Sequence, residues 1–137
     1  MRSKVLLIGI DGATWEILKP MMAEGRIPNI KRLYNEGASG ILTSTIPPLT
    51  PVAFASFHTG VNPGKHGITD FQLHYKETGM SGIIDSTFLK YKTFSEIAND
   101  HGKTVISINI PLTYPTPKLN GVVIGDFLAP RVYPGLV

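Results

Sequence analysis

"KVLLIGIDG", residues 4–12, decides the fold. Val5 to Ile10 is an apolar run interrupted by no polar residue. Such a run suits a parallel strand covered on both faces, because neither side of it could face water at low cost. It is far short of the roughly 18 apolar residues of a spanning helix. Basic residues precede it, as in a signal peptide, but Asp11 ends it and no small-residue cleavage site follows. The reading is a buried strand in a cytoplasmic protein with no membrane association.

Working outward, Trp15, Leu18, Met21 and Met22 recur at helical spacing over residues 14–23, and Gly25 is a stop. Pro28 opens a second helix with Ile30, Leu33 and Tyr34 inward and Gly37 at its end. Residues 40–44 read as a strand, Pro51–His58 as a helix and 60–82 as loop. Ile83 and Ile84 suggest a short strand, and Thr93–His101 a helix ended by Gly102. Val105–Ile108 and Val122–Ile124 are two further apolar runs. Strands alternating with helices predict an α/β class, a mainly parallel sheet flanked by helices. Ligands of such sheets sit beyond the carboxyl ends of the strands. Asp11, Asn109 and Asp126 stand at those ends.

Composition narrows the classes. The 137 residues are 42% hydrophobic and 17% charged, an ordinary globular balance with length enough for one core. The net charge of +3 is spread without a dense Lys/Arg cluster, which argues against nucleic acid held by a basic patch and suits an anionic ligand. With no cysteine, disulfides and thiolate metal sites are excluded.

In the stretch "PPLTPVAFASFHTGVNPGKHGI", residues 47–68, the Thr50 hydroxyl stands among three prolines, Pro47, Pro48 and Pro51. Pro51 at a first helical position would place Thr50 at the N-cap. There it either caps the helix, stabilising by about 1 kcal/mol, or serves as a nucleophile beside a phosphate-binding helix terminus. Asp11 likewise has three readings: helix cap, hard-cation ligand or ribose acceptor. Nucleotide motifs fail: "GIDG" lacks the third glycine of a dinucleotide fingerprint. "GVNPGKH" is one residue short between its glycines, with His66 where a P-loop has Ser or Thr.

Four ordered blocks, "LIGIDGATWEIL", "PNIKRLYNEGASG", "TIPPLTPVAFASFHTGVNPGKHGITDF" and "INIPLTYP", resemble the alkaline phosphatase superfamily. The resemblance is to its type I phosphodiesterase/nucleotide pyrophosphatase-like branch, with predicted phosphohydrolases and phosphomutases, and spans residues 4–130. It implies an alkaline-phosphatase-like fold and a site with two divalent metal ions, usually zinc, with manganese as the variant. On the matching positions Asp11 is a metal ligand, and Thr50 is the nucleophile and a metal contact. Thr59, Gly60, Pro63, His66 and Gly67 support the loop and helix. Ala53 stands where the branch has a phosphate-contacting asparagine, and Asn109 is the candidate substitute.

The resemblance implies further Asp and His ligands that residues 1–137 do not supply. His58, His66, His74 and His101 fall outside the ligand motifs and are assigned structural or surface roles; His66 and Asp70 are the reserve candidates for completing a site. The chain is therefore expected to be the N-terminal part of an incomplete catalytic domain, carrying half a site, inert alone and unable to hold both metals. The expected activity is hydrolysis of a small phosphate ester or diester through a phosphothreonine. A phosphomutase, or a non-catalytic anion-binding or interaction module, are the alternatives. Specificity would lie in loops such as 69–92, and an open sheet edge would favour a homo-oligomer.

Overall fold

The computed structural model describes residues 4–74 and 81–126. It divides into two compact units, residues 1–43 and 44–137.

The first unit is a helix pair preceded by a segment without regular secondary structure. Helix α1, Trp15–Ala23, is capped by Thr14, whose hydroxyl accepts the Glu16 N–H at 3.4 Å. Helix α2, Pro28–Glu36, starts on proline without a side-chain cap. The two meet where Trp15 and Tyr34 pack edge to face, ring centres 5.4 Å apart, while Trp15 Nε1 donates to the Gly40 carbonyl. Met22 is buried, but Leu33, expected inward, is 65% exposed.

Two expected strands are absent here. Val5–Ile10 and residues 40–44 have no ladder among the described residues, and Val5, Leu6, Ile41 and Leu42 are more than four-fifths exposed. The reason is physical. A strand exists only through a neighbour, and neither run has one among the described residues, however strong its β propensity.

The second unit holds the sheet and the core. Helix α3, Thr50–Thr59, ends on Gly60, whose φ of 70° gives the left-handed turn that a Cβ would strain. Helix α4, Pro63–His66, is a single turn capped by Asn62, and it lies inside the stretch read as loop. Strands β1, Gln72–His74, and β2, Ser81–Ile83, pair antiparallel. A 3₁₀ turn at Ser86–Phe88 follows. Helix α5, Phe94–Asp100, carries a complete capping box: Thr93 Oγ1 accepts the Glu96 N–H, and Glu96 accepts the Thr93 N–H. The core gathers Ala55, Ile68, Ile84 and Leu112, with Phe88 and Leu89 against it.

Strands β3, Val105–Ile108, and β4, Gly121–Ile124, pair in parallel with Val105 opposite Gly121. A Cβ on Gly121 would lie 1.8 Å from the Val105 carbonyl oxygen, so the register requires glycine there. One face of this pair, with Ser107, is covered. The other, with Ile106, Ile108, Val122 and Ile124, is exposed. Helices with a small parallel sheet give the expected α/β class.

Candidate active site

Asp11 sits in an exposed turn before α1, where the Ala13 N–H reaches the Ile10 carbonyl. The capping reading of Asp11 is not needed, since Thr14 is the N-cap of α1. Thr50 is half-buried in the first turn of α3. Its predicted capping position is off by one: the N-cap is Leu49, with extended φ and ψ of −105° and 144°. Thr50 is the first helical residue and Pro51 the second. The shift follows from Pro51, which tolerates either of the first helical positions because both lack intrahelical N–H bonds. Pro51 and Val52 are buried behind Thr50, and Ala53 closes the turn by donating to the Leu49 carbonyl at 2.9 Å. No acidic side chain occupies that turn, so the positive helix end is not offset locally.

Asn109 lies at the carboxyl end of β3, exposed, with its N–H continuing the ladder to the Ile124 carbonyl at 3.0 Å. Its φ of 51° is left-handed, a conformation asparagine tolerates better than most residues. Leu112, also left-handed at φ 63°, is buried, and its N–H is held by the carboxylate of Asp126 just past β4. Thr113 donates back to the Ile110 carbonyl at 2.6 Å. The buried Asp126 thus fixes the loop that follows Asn109. The sequence marked Asp126 as a strand-end residue without showing this partner.

The histidines divide. His66 is fully buried between two partners: Nδ1 accepts the Ile68 N–H at 3.1 Å, and Nε2 meets Ser56 Oγ at 2.9 Å. An accepting Nδ1 fixes a neutral ring with the proton on Nε2, and burial lowers its pKa. The residue locks α4 onto α3, the support role expected of it. His101 is exposed at the end of α5, with Nδ1 2.8 Å from the Ile97 carbonyl. The reading of the His74 side chain lies outside the described residues. His58 departs from the rest. It is 3% exposed, and neither ring nitrogen has a partner. Burial holds its pKa down to about 4, against a smaller upward pull from Glu96. A sequence shows a histidine in a helix but not its burial, which depends on α5 packing over it through Phe94.

Among the described residues, no group of three or more His, Asp or Glu side chains could hold a metal ion. Catalytic zinc commonly takes about three protein ligands. Asp11 and Thr50 alone do not fit a complete metal site. Asp11 belongs to the first unit and Thr50 to the second.

The type I phosphodiesterase / nucleotide pyrophosphatase family matches residues 5–123. The chain belongs to this family. Neither the curated proteins nor the solved structures give a match. Membership in the type I phosphodiesterase / nucleotide pyrophosphatase family suggests a phosphodiesterase- or pyrophosphatase-type hydrolase. The matched span contains Asp11, Thr50 and Asn109. Among the described residues, no helix is long and apolar enough to cross a membrane.

Proposed function

We propose that the protein hydrolyses a small phosphate ester or diester with Thr50 as nucleophile. The observation that carries this reading is the family match together with a hydroxyl in the first turn of a ten-residue helix. Thr50 Oγ1 attacks phosphorus, a new O–P bond forms, and the bond to the leaving oxygen breaks. The threonine proton goes to solvent or to the leaving group. Water then cleaves the phosphothreonine, returning the hydroxyl and releasing phosphate or a monoester. The N-terminal end of α3 favours the phosphoryl oxygens through its positive dipole. Asn109 is proposed to bind one of those oxygens in place of the asparagine that Ala53 replaces.

Asp11 and Thr50 are proposed as ligands of a divalent metal pair, zinc or manganese, which would need further donors from outside the described residues. The isolated chain is accordingly proposed to be inert. The decisive experiment uses the full-length protein and a bis-aryl phosphate. Thr50→Ala should lower turnover about a thousandfold or more, the scale of deleting a nucleophile. Acid quenching of the wild type should trap phosphate on the peptide containing Thr50, and Thr50→Ser should retain part of the rate. Near-normal turnover in Thr50→Ala excludes the assignment.

A further inference from the structure

We propose that Asn120 is a self-modification site. In the folded chain its side-chain amide closes onto the Gly121 nitrogen and is lost as ammonia, leaving aspartate or isoaspartate at the entrance to β4. The chemistry needs no part of the Thr50 site.

Asparagine is chemically labile, and most so before glycine, where no side chain shields the neighbouring nitrogen. Of the six asparagines only Asn120 is followed by glycine. Asn62 precedes a proline, whose nitrogen has no hydrogen to release, and Asn109 precedes the β-branched Ile110. The fold cannot dispense with that glycine. Gly121 has a φ of 147°, and any Cβ there would collide with the Val105 carbonyl. The residue that the parallel register demands is the one that opens Asn120 to attack.

The ladder also leaves the attacking nitrogen unengaged. Val105 donates to the Asn120 carbonyl at 2.9 Å, and Asn109 to the Ile124 carbonyl at 3.0 Å. Successive residues of a strand turn their backbone groups to opposite edges, so Asn120, Val122 and Ile124 address β3 while Gly121 turns its N–H away. No acceptor meets that N–H among the described residues. Asn120 is exposed, and its Nδ2 reaches Thr104 Oγ1 across a long 3.5 Å. Its backbone N–H, by contrast, is fixed on Asn99 Oδ1 at 2.7 Å.

The steps balance. The Gly121 nitrogen bonds to Asn120 Cγ, the bond from Cγ to Nδ2 breaks, and the amide nitrogen leaves as ammonia with the Gly121 proton. Water then opens the five-membered imide. Cleavage at Cγ gives aspartate, and cleavage at the backbone carbonyl gives isoaspartate. In isoaspartate the chain runs through Cβ and Cγ, and the carbonyl that held the Val105 N–H becomes a free carboxylate. The first bond of the β3–β4 ladder is lost with it.

The 137-residue chain is aged in mildly alkaline buffer, then digested with trypsin, which separates residues 119–131, with Asn120, from 104–118, with Asn109. Mass spectra should show 119–131 converting from amide to acid and becoming a substrate of isoaspartyl methyltransferase, while 104–118 stays unchanged. Asn120→Gln, whose ring closure is slower, should stop the conversion. The isoaspartyl form should unfold at a lower urea midpoint than fresh chain. No conversion in the folded chain, conversion only after unfolding in urea, or equal conversion of Asn109 overturns the proposal. An unchanged midpoint overturns the loss of the ladder bond.

Discussion

The two units of the chain obey different rules. In residues 4–43 both helices form, yet Met22 is the buried apolar side chain and Leu33 faces solvent. In residues 44–126 capping is mixed, with a complete capping box on α5 and no side-chain cap on α3. Even so, Val52, Ala55, Ile68, Ile84 and Leu112 are sealed from water. Local signals suffice to start and stop a helix. Burial requires a partner element, and in the second unit α5, β3 and the loop after it supply one.

Core truncation tests that contrast with the largest effect. Ile84→Ala should cost about 2–5 kcal/mol by chemical denaturation, the range for a buried isoleucine. Leu33→Ala should stay within about 0.5 kcal/mol, as at an exposed site. Equal costs would abolish the distinction between the units.

A second break comes from pH. His58 has a pKa of about 4 when folded, against 6.5 for an ordinary histidine. Below 6.5 the unfolded chain takes up a proton that the folded chain refuses. Stability is therefore whole above pH 6.5 and declines as the pH falls toward 4. The loss approaches about 3 kcal/mol, at roughly 1.36 kcal/mol per pKa unit. His66, also lowered by burial, acts in the same direction. His58→Phe should flatten most of this slope in urea melts at pH 7 and pH 4. A variant keeping the full slope would clear His58 of causing it.

The smallest effect sharpens the local half of the comparison. Thr93→Ala removes one arm of the α5 capping box and should cost about 1 kcal/mol. Thr14→Ala removes a longer, weaker bond of 3.4 Å and should cost less. A reversed order would show that capping strength does not follow the geometry of the two sites.

This division also explains what was readable in advance. The helices were legible because Thr14, Pro28, Pro51 and the Thr93–Glu96 pair act within a turn of themselves. Strands β3 and β4 were legible because both are short apolar runs with an ordinary neighbour in each other. Val5–Ile10 carries the same signal without a partner among the described residues, where it forms no ladder. Helix α4 was missed because four residues leave no periodicity, although Asn62, Pro63 and Gly67 mark its ends. Of the candidate site, the positions of Asp11 and Asn109 at turn and strand end were legible. The capping register of Thr50 was not, because proline suits both of the first helical positions. The unpartnered ring of His58 was not legible either, since it depends on Phe94, a residue thirty-six places away.

The exposed hexapeptide Val5–Ile10 has a colloidal consequence. It is rich in β-forming side chains, has no proline and bears no charge, which is the composition of segments that zip together between molecules. Lys4 and Asp11, of opposite sign at its two ends, are placed as gatekeepers against stacking. Concentrated solutions of this chain should therefore be limited by self-association through those six residues before the Ile84 core melts. Neutralising either flanking charge should lower solubility while leaving the unfolding midpoint where it was.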